Sequence, residues 1–179
     1  MSPAGKAVQK MAHRVFGLAG WSGSGKTTLA EKLIKHITDQ AIIMATIKHA
    51  HHAFDADSPG KDSWRHRQAG ARQVIVSSAH RTAHFTEHAQ TEPDLTQLLA
   101  QLGPCDLVLV EGFKKEPIDK LEIWREQLGK PPLYPQDKHI VAVASDVELP
   151  ECPLPVFDLN DAAAISDFIL SQVGLKKSN

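Results

Sequence analysis

The sequence predicts an α/β fold of three layers, with helices on both faces of a mostly parallel central sheet and a small β-rich insertion. Two observations carry this. Short apolar runs bounded by turn residues alternate along the chain with segments of helical period, which is the pattern of βα units. A glycine-rich stretch, Gly20-Trp21-Ser22-Gly23-Ser24-Gly25-Lys26-Thr27, also stands between the first apolar run and the first amphipathic helix. It meets the phosphate-loop pattern G-x-x-x-x-G-K-[ST] at every defined position, so the fold expected is that of a P-loop NTPase.

The first βα unit is the clearest. A strand over 14–19 leads into the loop, and a helix over 26–38 carries Leu29, Leu33, Ile34 and Ile37 on one face. Residues 41–47 read as a buried strand. The polar stretch over 48–61, with Pro59-Gly60, is too polar for a core and long enough for a functional loop. Asp62 or Ser63 can cap a short helix that Gly70 closes, and strands follow over 72–77 and 81–86. Pro93 suits the first turn of a helix with Leu95, Leu98, Leu99 and Leu102 as its apolar positions, stopped by Gly103-Pro104. The continuous apolar run over 107–110 is typical of a central parallel strand. A strand over 121–125 precedes an irregular segment over 126–138, which contains Gly129, Pro131, Pro132 and Pro135. Strands over 140–144 and at 156–157 follow, and Asn160 can cap a last helix over 161–173 that Gly174 closes.

The chain has 179 residues, 42% of them hydrophobic and 23% charged, enough for one domain with a full core. Residues 1–13 read as a frayed leader before a single domain over 14–179. A formal charge of -1 supplies no general pull toward nucleic acid or an anionic membrane, so phosphate binding must be local. No apolar run approaches the roughly 18 residues of a membrane span, which predicts a cytoplasmic protein. Cys105 and Cys152 have neither metal-site spacing nor the density of a disulfide scaffold and read as free thiols.

The chemistry follows from the loop. Glycines let the backbone N–H groups and the helix N-terminus converge on one anion, which makes Trp21, Ser22, Gly23, Ser24, Gly25, Lys26, Thr27 and Thr28 the phosphate-binding set. Lys26 reaches the β- and γ-phosphates, the Thr27 hydroxyl is placed for Mg²⁺, and Thr28 adds a hydrogen bond to phosphate. A dinucleotide fold would need glycine where Ser22 stands. Glu111 ends an apolar strand, where parallel sheets bind ligands, and can face Mg²⁺ or a lytic water; the usual acid there is aspartate. Asp106 precedes the same strand and falls at the wrong end of the sheet.

Asp57, and after it Asp55, could reach Mg²⁺ through water as switch loops do, with surface solvation as the alternative. His49, His51 and His52 invite a transition-metal reading, but no cysteine or further clustered histidine completes a site. Asp146 follows the strand over 140–144 and could accept from the N1 and N2 donors of guanine, or could be a turn aspartate. No N-K-x-D sequence occurs, so the residues alone leave the base open.

Several motifs in order carry a resemblance: A-x-W-S-G-x-G-K-T-T from Ala19 to Thr28, I-K-H-x-H-H from Ile47 to His52, and P-G-K-D-S from Pro59 to Ser63. Arg67, Ala69-Gly70-Ala71, V-E-G-F-K from Val110 to Lys114 and A-V-A-S-D from Ala142 to Asp146 complete it. With these the chain resembles the molybdopterin-guanine dinucleotide biosynthesis adaptor family, MobB, over nearly its whole length. The resemblance implies GTP binding with slow hydrolysis, a homodimer, and partnership with the guanylyltransferase that joins GMP to molybdopterin. Under it, the polar loop would sense nucleotide or contact the partner and the pterin, and a dimerisation insertion would lie near 115–138. A small-molecule kinase would use the same loop but wants an arginine-rich lid, and the segment over 126–138 has no arginine. A metal-insertion GTPase would want a longer histidine tract.

Overall fold

The computed structural model describes residues 13–50, 54–89 and 91–175. The expected leader, apart from His13, lies outside these residues, as do His51 and His52. The chain divides into two compact units, one of residues 1–49 and 95–179 and the other of residues 50–94.

In the larger unit, strands β1 (Arg14–Ala19), β2 (Met44–Lys48), β5 (Leu107–Glu111), β6 (Lys120–Trp124), β7 (Ile140–Ser145) and β8 (Val156–Asp158) form one sheet. Their order is β2-β5-β1-β6-β7-β8, and each pairing is parallel. Alternating side chains send Phe16, Leu18, Leu109, Leu121 and Ile123 to one face, where α1 (Lys26–Thr38) and α4 (Ala162–Gln172) bury Leu29, Leu33, Ile37, Ile165 and Ile169. The opposite face gathers Ile47, Val108 and Val110 with Leu95 of α3 (Leu95–Leu99). The α/β layers predicted from the sequence are therefore present.

The smaller unit holds α2 (Asp62–Gln68) and the antiparallel hairpin of β3 (Gln73–Ser77) and β4 (Thr82–Thr86). Its polar centre is Arg67, which donates to Asp55, Asp57 and Glu87 and stacks 5.3 Å over the Phe85 ring. These bonds raise the Arg67 pKa further, chiefly through Asp55.

Element ends differ from expectation where local hydrogen bonds decide. Ala41 takes φ 62 and closes α1 by donating to the Thr38 carbonyl, so β2 starts at Met44 and not at 41. α2 is preceded by Lys61 in extended conformation with no side-chain cap, so neither Asp62 nor Ser63 caps it. The cap of α4 is Asp161, whose carboxylate accepts from the Ala164 N–H, and not Asn160. Its other end closes as expected on Gly174 at φ 70, with Leu175 N donating to Leu170 O and Gly174 N to Ser171 O. α3 spans only Leu95–Leu99, short of the turns expected at Pro93 and Leu102.

Residues 115–138 include β6, which lies between β1 and β7 in the sheet. Two buried polar side chains fasten it. Lys120 donates to the Lys114 and Glu116 carbonyls and to Asp137, at 2.8, 2.9 and 2.8 Å. Its chain crosses Gly17, where a Cβ would meet Lys120 Cγ at 2.5 Å, so β1 needs glycine there. Glu122 accepts from the Leu133 and Tyr134 N–H groups and thereby anchors the proline-rich segment; burial raises its pKa against these bonds.

Lys120→Met leaves two carbonyls and a carboxylate without their donor and should cost about 3 kcal/mol, read by urea denaturation. Burial alone would raise the Asp137 carboxyl, but the bonds from Lys120 and the His139 N–H outweigh it and hold it below its usual 3.8. A depressed carboxyl stabilises the fold above its unfolded pKa and loses that contribution as pH falls through the folded value. Acid titration should show this loss in the wild type and a smaller one in Lys120→Met.

Candidate functional site

The loop leaves β1 at Ala19 and turns through Gly20, Gly23 and Gly25 at φ 145, 81 and 93. At Gly20 the requirement is steric as well, because a Cβ would lie 2.5 Å from the Ile123 carbonyl oxygen. Gly25 is the N-cap of α1 and no side chain caps the helix. The first N–H groups of a 13-residue helix thus face the loop's concavity with the positive end of its dipole. Ser24 is buried and its hydroxyl makes no hydrogen bond among the described residues. Ser22, Thr27 and Thr28 are exposed.

Lys26 folds back over the loop, donating to the Gly20 and Trp21 carbonyls at 3.0 and 2.8 Å. Burial lowers its pKa, the Glu111 carboxylate opposes that shift, and Lys114 and Lys48 add to it. These two carbonyls hold the ammonium at the loop. Thr27 Oγ1 donates to Glu111 Oε1 at 3.3 Å, so the two predicted metal groups are brought together. A hydroxyl and a carboxylate are the hard oxygen donors that Mg²⁺ uses beside nucleotide phosphates. The fit is supported by a cation already against both: Lys48 Nζ lies 3.1 Å from Thr27 Oγ1 and 3.6 Å from Glu111 Oε2.

Gly112, at φ 100, lets the backbone of His49 approach; its Cβ would lie 2.9 Å from His49 Cβ, and His49 N donates to Glu111 O. His49 packs against Phe113, with ring centroids 5.2 Å apart. No group of three His, Cys, Asp or Glu able to hold a metal occurs among the described residues.

Across the loop, Asp146 follows β7, and its Oδ2 accepts from Arg125 Nη1 at 2.8 Å. The same guanidinium donates through Nε to Ser24 O at 3.1 Å, tying Asp146 to the loop. Trp21 donates its indole N–H to Pro131 O, and the Lys114 and Lys130 ammonium groups lie 5.0 and 5.9 Å from its ring centre. Asp106 caps nothing at the site; at the other end of β5 its carboxylate accepts from Ile43 N. Asp57 belongs to the smaller unit, where it accepts from the Ser63 hydroxyl and Arg67, while Asp55 pairs with Arg67 as well.

Sequence reasoning passed over Lys48 and Arg125. Each stands at or just beyond the carboxyl end of a parallel strand, the position that singled out Glu111 and Asp146, and the same rule could have found them.

A family model described as "Molybdopterin guanine dinucleotide synthesis protein B" matches residues 15–146, a span that includes the loop, Glu111 and Asp146. The chain belongs to that family. A member from Escherichia coli (strain K12), named molybdopterin-guanine dinucleotide biosynthesis adapter protein, is 43% identical over 160 residues, covering 87% of this chain and 91% of the relative. One of the same name from Haemophilus influenzae is 44% identical over 158 residues, covering 87% and 86%. The crystal structure of a molybdopterin-guanine biosynthesis protein B superposes with a TM-score of 0.72 at 26% identity, covering 89% of this chain and 99% of that one. The resemblance and the P-loop fold expected from the sequence are thereby established.

In this MobB-family loop Gly20→Ala should cost about 2 kcal/mol, since strain at a glycine-only conformation adds to the clash with Ile123 O. Chemical denaturation reads the loss, and the displaced loop should bind nucleotide triphosphate more weakly.

Proposed function

We propose that this chain is a GTP-binding adaptor of molybdopterin guanine dinucleotide biosynthesis, at most a slow GTPase, that assists the guanylyltransferase attaching GMP to molybdopterin. One observation carries the nucleotide part: Lys26, Thr27 and Glu111 meet at the uncapped N-terminus of α1. The adaptor role rests on the names of the relatives in Escherichia coli and Haemophilus influenzae.

In this proposal the N–H groups of Trp21 to Thr28 and the Lys26 ammonium bind the triphosphate. Lys26 exchanges the Gly20 and Trp21 carbonyls for phosphate oxygens, while Thr27 and Glu111 hold Mg²⁺. The ion, when bound, neutralises phosphate charge and orients the terminal phosphoryl group. Glu111 also orients the attacking water. Asp146 accepts from guanine N1 and N2, with Arg125 holding its carboxylate toward the loop. The protein acts as a homodimer in the cytoplasm, and molybdopterin is a candidate second ligand. Among the described residues no helix is long and apolar enough to cross a membrane.

Calorimetric titration with GTP and ATP, each with Mg²⁺, tests the proposal. The wild type should prefer GTP, Lys26→Ala should lose binding of both, and Asp146→Asn should lose roughly 10- to 100-fold of the GTP preference. ATP preference would turn the assignment toward a kinase, and failure to bind either would remove the nucleotide role. With nucleotide binding in hand, addition of the chain to purified guanylyltransferase should raise the yield of the guanine dinucleotide, and Lys26→Ala should not.

A further inference from the structure

Lys48 ends β2, and the parallel register sets it opposite Glu111 on the adjoining strand. Neighbours in register project to the same side of a sheet, so the ammonium and the carboxylate share one edge of the loop. The ammonium lies 3.1 Å from Thr27 Oγ1 and 3.6 Å from Glu111 Oε2. It touches both groups assigned above to the metal.

This contact is poorly suited to holding the fold together. The Lys48 side chain is 57% exposed, the carboxylate separation is long, and exposed ion pairs contribute little to stability. The Glu111 side chain, by contrast, is only 15% exposed, so its charge needs a partner near the site. Lys26 interacts electrostatically with the same carboxylate and with Lys48 and Lys114, so positive charge is already concentrated beside Glu111. A divalent cation entering there meets positive charge that must first move away.

We propose that Lys48 is a built-in counter-cation of the metal position: its ammonium bridges Thr27 and Glu111 until Mg²⁺ arrives with nucleotide and displaces it. Two cations cannot occupy the space between the same oxygens. When no divalent ion is present, Lys48 stays beside the incoming phosphates and supports binding in its stead. Nucleotide binding by this chain is accordingly less dependent on Mg²⁺ than the loop and Glu111 alone would make it. The inference rests on the assignment of Thr27 and Glu111 to Mg²⁺.

The test is the ratio of the dissociation constant for a fluorescent GTP analogue in EDTA to that in saturating Mg²⁺, for the full chain. Lys48→Met should raise the ratio about five- to tenfold, mainly by weakening binding in EDTA. Lys48→Arg should keep it near wild type. Lys114→Met removes a nearby charge without touching the bridge and should weaken both constants alike, which leaves the ratio unchanged. Glu111→Gln should collapse the ratio toward one. An unchanged ratio in Lys48→Met, with collapse in Glu111→Gln, overturns the counter-cation role and leaves the metal assignment standing. If Glu111→Gln leaves the ratio intact, the metal assignment fails and the inference fails with it. Circular dichroism of each variant separates these outcomes from misfolding.

Discussion

Because each pairing in the main sheet is parallel, all its strands deliver their carboxyl ends to the same edge. That constraint organises the site. Reading across β2, β5, β1, β6 and β7, the edge presents Lys48, Glu111, the loop from Gly20, Arg125 and Asp146. At roughly 4.8 Å per strand the row spans about 19 Å, enough for an extended nucleotide. The Thr27 and Glu111 pair lies on one flank of the loop, and the Arg125 and Asp146 pair on the other.

Electrostatics follow the same division. The chain as a whole carries a formal charge of -1, yet Lys26 sits within electrostatic reach of Lys48, Lys114 and the Glu111 carboxylate beside the N-terminus of α1. Positive charge is therefore concentrated locally at the loop edge. The backbone contributes as much as the side chains, since the positive-φ glycines and the uncapped helix aim N–H groups at one place. Lys26 is held there by two carbonyls, neutral acceptors that a phosphate can replace.

Much of this was legible in the chain itself. The runs at 15–19 and 107–110 are apolar because central parallel strands bury both faces, and both fall in strands of the main sheet. The loop was readable because phosphate chemistry restricts which residues can occupy it. β6 was harder to place, since Lys120 and Glu122 interrupt its apolar pattern and are satisfied only by partners at 114, 116, 133, 134 and 137. Arg125 could be picked out by its place at a strand end, but its partners, Ser24 and Asp146, are distant in sequence and could not. Ala41 in a left-handed turn follows from how α1 ends, which residue preferences alone do not indicate.

The proposed function requires the loop edge to bind a purine triphosphate with its metal on the Glu111 side. A crystal structure of the chain with Mg²⁺ and a non-hydrolysable GTP analogue should show phosphates inside the loop, Lys26 Nζ moved from the Gly20 and Trp21 carbonyls onto phosphate oxygens, and the ion between Thr27 and Glu111. Phosphates bound elsewhere, or Lys26 still on its two carbonyls with nucleotide present, would contradict it.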